Sequence, residues 1–117
     1  MQALDKLAWE VLNATADDCE NIEQIYCQLC YELLPVEPQP GPMNLVFRHT
    51  RVDVLLSDIA DRIRQLVEGG LLEPVMDEEG RPWQGREDLS YVWRAWLVMT
   101  PEGRSTWEAS EYLVEQE

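Results

Sequence analysis

The sequence TRVDVLLSDIADRIRQLVEGGLLEPVM, residues 50–76, contains the pattern that decides the fold. At 100° per residue its apolar side chains fall within about 140° of arc, which is typical of an amphipathic helix. These side chains are Val52, Leu55, Leu56, Ile59, Ala60, Ile63, Leu66 and Val67. Thr50 is predicted to cap the helix, with Asp53 three residues further on, and Gly69-Gly70 is predicted to end it before a strand.

Two more helices are predicted before this stretch. Residues 2–14 have apolar side chains at helical spacing, and a second helix is expected over 17–34, where Asp17 and Glu20 have capping-box spacing. Four prolines within 35–42 then predict an extended linker. Residues 43–49 are expected to add either a short extended piece or an early turn of the next helix.

A strand pair and a last helix are predicted after Gly70. Pro74 confines the strand 71–76 to a sheet edge or a bulge, and residues 77–80 form a turn. Aromatic and branched residues over 89–99 predict the second strand. Thr100 is expected to cap the last helix, with Pro101 in its first turn.

The segments LVEGGLLEP and LVMTPEGRSTWE resemble the winged helix-turn-helix family over about residues 51–110. In that family the recognition helix runs into the first wing strand, and a TPEG turn opens the last helix. The resemblance implies one domain over 1–117, of the α+β class. It implies a mostly helical winged helix with a two-stranded antiparallel wing and a C-terminal helix. The implied function is DNA binding of the transcriptional-regulator type.

Charge is the strongest compositional feature of the chain. The net charge is −14, and residues 1–40 have one base against eight acids. Such a chain should repel nucleic acid at long range. However, seven of the nine Lys and Arg residues lie between Arg48 and Arg94, in the segment that a winged helix would present to DNA. Composition therefore leaves DNA binding open.

The predicted DNA contacts lie on the outward face of the central helix and on the wing. They are Arg51, Ser57, Arg62, Arg64 and Gln65 on the helix, with Arg81 and Arg86 at the wing. Asp58, Asp61 and Glu68 share the helix face and would weaken phosphate binding. The alternative is a solvated face with local ion pairs, such as Asp58–Arg62 and Asp61–Arg64.

Four apolar side chains are candidates for a protein interface: Trp9, Trp83, Trp107 and Val114. Trp and Arg are enriched at interaction hot spots, and the last helix has two separate apolar edges. A homodimer is therefore expected, since winged-helix regulators commonly dimerise through terminal helices. In the alternative, Trp83 folds back on the sheet and Trp107 seals the core. A protein-interaction module that does not bind DNA is the second functional hypothesis.

The three cysteines predict no metal or redox site. A zinc site needs four ligands, and the Cys27-Cys30 pair falls within a predicted helix. Cys19 and Cys30 flank the apolar stripe of that helix, so buried small hydrophobes are expected. The residues show no nucleophile–base pair or phosphate-binding loop, so we expect neither an enzyme nor a cofactor. An odd cysteine count, no apolar run near the ~20 residues of a membrane span and no leader pattern predict a cytoplasmic protein without membrane contact.

Overall fold

The computed structural model describes residues 4–35, 45–84 and 90–110 of the chain. Two antiparallel two-stranded sheets accompany the helices, so the predicted α+β class is confirmed. The described elements are α1 (Lys6–Ala14), α2 (Ile22–Cys30), β1 (Tyr31–Pro35), β2 (Leu45–His49), α3 (Leu56–Glu68), β3 (Leu72–Met76), α4 (Tyr91–Arg94), β4 (Trp96–Met99) and α5 (Pro101–Glu108). Among these residues, no helix has the length and hydrophobicity needed to cross a membrane.

Helix α2 is shorter than predicted at both ends. It begins after Asn21, whose side chain accepts a hydrogen bond from the backbone N–H of Gln24 at 2.9 Å. It ends at Cys30, because Tyr31 is already extended and pairs with His49 across the β1–β2 hairpin. The prediction of helix to residue 34 was therefore wrong, since a short apolar run fits a strand as well as a helix.

Strands β1 and β2 lie on either side of the predicted linker between the second and third helices. Tyr31 pairs with His49 at its base and Pro35 pairs with Leu45 at the other end. Of the two alternatives for residues 43–49, the extended one is confirmed over Leu45–His49. Apart from Pro35, the predicted linker over 35–42 lies outside the described residues, as do residues 43 and 44. The described parts of the connection between α2 and α3 therefore include the two paired strands β1 and β2.

Helix α3 begins six residues later than the predicted cap at Thr50. The Thr50 hydroxyl instead donates to the carbonyl oxygen of Cys30 at 3.3 Å, and the Asp58 carboxylate accepts from the backbone N–H of Leu55 at 2.9 Å. The predicted stripe is buried only from Ile59 onward, together with Ala60, Ile63 and Leu66. Gly70 has a φ of 79°, which confirms the left-handed exit.

The β3–β4 sheet has a third partner near the start of α2. Strand β3 pairs antiparallel with β4, with an irregularity at Pro74 as predicted. On the other side of β4, Glu20 exchanges two backbone hydrogen bonds with Leu97, at 3.0 and 2.9 Å. The predicted strand 89–99 was too long, because the short helix α4 buries Tyr91 and Val92 before the chain extends.

The TPEG turn fixes α5 against the end of α3. The Thr100 hydroxyl accepts from the N–H of Gly103 at 2.9 Å, which confirms the predicted cap, and donates to the carbonyl of Gly70 at 2.7 Å. Gly103 packs on the backbone of Leu71, where an added Cβ would lie 2.1 Å from the carbonyl oxygen. Only glycine fits this contact.

Candidate functional site

The outward face of α3 holds most of the predicted DNA contacts. Ser57 and Gln65 are exposed there, and Arg62 and Arg64 are half-buried. Arg62 reaches across to α1, where its guanidinium contacts the Asp5 carboxylate at 2.8 Å instead of forming the predicted pair with Asp58. The predicted Asp61–Arg64 pair is present at 3.8 Å, and Arg64 also lies 3.9 Å from Glu68.

Asp5 links the start of α1 to α3. Its carboxylate accepts from the backbone N–H of Ala8 at 2.7 Å and from Arg62. Partial burial alone would raise the pKa of the Asp5 carboxyl, but these hydrogen bonds outweigh it and hold that pKa below its ordinary value. Arg62 therefore has a structural partner on α1.

Arg51 and Arg81 have carboxylate partners as well. The Arg51 guanidinium is hydrogen-bonded to the Glu10 carboxylate on α1. In the turn after β3, the Arg81 Nε donates to Asp77 at 3.0 Å, and its Nη2 lies 3.1 Å from Glu79. Backbone N–H groups, first that of Arg81, lower the pKa of the Asp77 carboxyl. Within the described residues, every arginine predicted to contact DNA is paired with an acid.

Two arginines outside the predicted site also have acidic partners. Arg48 lies 3.2 Å from Glu32 across the β1–β2 hairpin, and Arg94 lies 2.9 Å from Glu78 in the turn after β3. Arg86 lies outside the described residues. The described arginines between Arg48 and Arg94 therefore lie next to acids. Some of these acids come from α1 and others from neighbouring residues.

The predicted interface side chains do not form one surface. Trp9 has no exposed area and lies in the core, so its assignment to an interface was wrong. Trp83 is half-buried and packs against the core. Trp107 also packs there, and its Nε1 donates to the side chain of Asn13 at 2.9 Å. Val114 lies outside the described residues. The homodimer accordingly stays a prediction.

An exposed apolar groove lies at the N-terminal end of α3. Its volume is about 460 Å³, and it is lined by Glu23, Tyr26 and Cys27 of α2, by Tyr31, and by Leu56. Leu55, the residue before Leu56, is 61% exposed and Val52 is 81% exposed. The apolar periodicity predicts Val52, Leu55 and Leu56 in the core for a helix that begins after Thr50, but α3 begins only at Leu56.

An aromatic cluster forms one wall of this groove. The Tyr26 hydroxyl lies 3.1 Å from Nε2 of His49, and burial raises the pKa of that hydroxyl. The Tyr31 ring lies 4.8 Å from the His49 ring and 6.0 Å, edge-on, from the Tyr26 ring. These contacts connect α2 to the base of the β1–β2 hairpin and fix the orientation of both tyrosines.

The three cysteines differ in how far they are buried. Cys30 is fully buried, and burial raises the pKa of its thiol, as expected for a small hydrophobic side chain. Cys19, the other cysteine expected beside the apolar stripe, is only half-buried, and Cys27 is exposed in the groove. No group of three or more metal-ligating side chains occurs within residues 4–35, 45–84 and 90–110.

Comparison of the chain with known protein families, with curated proteins and with solved structures gives no match. Two surfaces of the described structure are the candidates for function. One is the outward face of α3 with the turn after β3, where charges are paired. The other is the apolar groove between α2, Tyr31 and the first residues of α3.

Proposed function

We propose that the chain is a non-enzymatic winged-helix domain that binds a protein partner. The order of the described elements supports the winged-helix assignment. Helices α1, α2 and α3, the β3–β4 pair and α5 follow one another in the order that the resemblance implies. The β1–β2 hairpin is an insertion between the second and third helices.

The ion pairing of the arginines is the observation that favours a protein partner over DNA. Arg51, Arg62, Arg64 and Arg81 all have carboxylate partners within 4 Å. A protein gains affinity for DNA when its free cations neutralise phosphates and release counterions. Paired arginines supply little of this gain, because their positive charge is already offset.

For DNA binding, the negative charge of the carboxylates matters more than the stability of the ion pairs. An exposed ion pair contributes only about 0–1 kcal/mol, so DNA could separate these pairs without much loss. Each acid would then face phosphate, and two unit charges about 6 Å apart repel by about 0.7 kcal/mol in water. Asp61, Glu68, Asp77 and Glu79 would all contribute to this repulsion. The acids thus oppose DNA binding at the face where the resemblance places it.

Titration with a random duplex at low salt tests the proposal. Non-specific DNA binders have dissociation constants of about 10⁻⁶ to 10⁻⁴ M, and their affinity falls steeply with salt. We expect no binding in this range at about 50 mM salt. Micromolar binding that weakens steeply as salt is added would overturn the proposal and support a transcriptional regulator instead.

A matched pair of variants sharpens this titration. Glu68→Gln removes an acid that pairs with Arg64, whereas Glu108→Gln removes an exposed acid from α5. Both variants change the net charge equally. If the acids on α3 are what opposes DNA, Glu68→Gln should bind duplex more tightly than Glu108→Gln. Measurable and equal duplex affinity of the two variants would show that the acids on α3 do not oppose DNA.

A cytoplasmic location and a homodimer are also part of the proposal. All three cysteines are free thiols, which suits a reducing compartment. Dimerisation follows from the winged-helix resemblance and is tested by sedimentation. A monomer at high micromolar concentration would contradict it without affecting the choice between protein and DNA partners.

A further inference from the structure

We infer that the apolar groove between α2, Tyr31 and Leu56 binds a cationic amphipathic helix of a partner protein. The inference rests on the proposed function and names the surface and the kind of partner. It concerns the N-terminal end of α3, whereas Arg62 and Arg64 lie further along that helix.

The exposure of the groove side chains is the first argument. Leu56 and Tyr31 are 38% and 37% exposed, and Leu55 is more exposed still. Single exposed apolar residues are common, but a group that lines one groove indicates a binding site. A helix that places its apolar face in such a groove would cover Tyr26, Tyr31 and Leu56 together.

The negative charge around the groove favours a cationic partner. Glu23 is part of the groove lining, and Asp53 and Asp58 are close to Leu55 and Leu56 in the chain. The protein as a whole has a net charge of −14. A second copy of the chain would bring the same acidic surroundings against the groove, and like charges would oppose the contact. A segment with Lys or Arg beside its apolar residues would be attracted instead.

The groove is held in place before any partner arrives. The contacts among Tyr26, Tyr31 and His49 hold one wall, and the Asp58 carboxylate accepts from the backbone N–H of Leu55, next to Leu56, at 2.9 Å. Binding to an ordered site loses less conformational entropy than binding to a site that must first order. These contacts therefore favour binding of a helix.

A synthetic helix of Leu and Lys with all leucines on one face is a suitable probe. Its control is a peptide of the same composition in scrambled order, which keeps the charge and loses the apolar face. Fluorescence anisotropy measures affinity, and the rate of alkylation of Cys27 reports occupancy of the groove. We expect the amphipathic peptide to bind at least tenfold more tightly than the scrambled one and to slow Cys27 alkylation. The Cys27→Ser variant confirms the origin of the alkylation signal.

Three variants locate the binding. Leu56→Ser and Tyr31→Ser should each weaken binding of the amphipathic peptide about tenfold, because each removes apolar contact area. Trp93→Ser is the matched control, since Trp93 is 52% exposed on α4 and does not line the groove. It should change the affinity less than twofold. Circular dichroism establishes that each variant is folded.

The outcomes separate this inference from the proposed function. Equal binding of the scrambled peptide, or an unchanged affinity of the Leu56→Ser and Tyr31→Ser variants, would overturn the groove as the site. Absence of peptide binding would also overturn the inference. In each case a domain that still fails to bind duplex DNA would leave the protein-interaction proposal intact, whereas duplex binding would overturn that proposal itself.

Discussion

The two ends of α3 differ in how they are held. At the C-terminal end, Gly70 receives a hydrogen bond from Thr100, and Gly103 packs on the backbone of Leu71. At the N-terminal end, Leu55 and Val52 are mostly exposed to solvent. The same amphipathic sequence therefore supplies the core at one end and an open apolar surface at the other.

This difference indicates what each end is for. Side chains at the packed end stabilise the fold, since burial of apolar area is the main favourable contribution to folding. Exposed apolar side chains at the open end gain little on folding. They would gain on binding, because a partner removes them from water. Substitutions at the two ends should therefore affect different quantities.

The largest effect is expected for truncation within the packed part of α3. Ile63 is fully buried, so Ile63→Ala should lower the free energy of unfolding by about 3 kcal/mol through lost burial and a residual cavity. Leu55→Ala is the matched truncation at the open end and should change it by less than about 0.5 kcal/mol. Urea unfolding measures both. Similar losses in the two variants would contradict the distinction between the ends.

The contact between α5 and the end of α3 gives the next largest effect. Gly103→Ala would place a Cβ against the Leu71 carbonyl, so it should destabilise the protein by about 2 kcal/mol through overpacking. Ser105→Ala, at an exposed position of the same helix, is the control and should be nearly neutral. Thermal unfolding compares the two. An unchanged midpoint for Gly103→Ala would show that this end of α3 is not tightly held.

The smallest effect concerns the Asp5–Arg62 pair, which ties the middle of α3 to α1. Asp5→Asn keeps a good N-cap and removes the charge, so at pH 7 it should lower stability by less than about 1 kcal/mol for a pair this exposed. Because folding lowers the pKa of Asp5, its contribution is present above about pH 4 and is lost as the pH falls through the lowered pKa.

Urea unfolding of both proteins over the acidic range measures this contribution. The difference between the wild type and Asp5→Asn should shrink as the pH falls below about 4, because the wild-type carboxyl becomes neutral as well. A difference that stays constant down to pH 2 would show that the Asp5 charge does not contribute to stability.

Local signals predicted the C-terminal half of the fold well. The Gly69-Gly70 exit, the bulge near Pro74 and the Thr100 cap depend on residues next to one another in the chain, and all three are confirmed. The predicted start of α3 was wrong, because the apolar periodicity fits a helix capped at Thr50 as well as a helix capped at Leu55. In the structure Thr50 is hydrogen-bonded to Cys30, which is distant in the sequence, and does not cap the helix. No local sequence pattern predicts this hydrogen bond.

The candidate site depends even more than the start of α3 on contacts between residues that are far apart in the sequence. The partners of Arg51 and Arg62 are Glu10 and Asp5, which come from α1. The groove joins residues of α2 to Leu56 of α3. Neither arrangement has a signal in the spacing of residues along the chain, so both required the folded structure.

The position of binding on α3 is the central claim, and ¹H–¹⁵N correlation spectra test it directly. The domain would be titrated separately with the amphipathic Leu/Lys peptide and with a random duplex. We expect the peptide to shift the amide resonances of Tyr26, Tyr31 and Leu56, and the duplex to shift none. Shifts at Arg64, Gln65 and Arg81 on adding the duplex, with an undisturbed groove, would contradict the account.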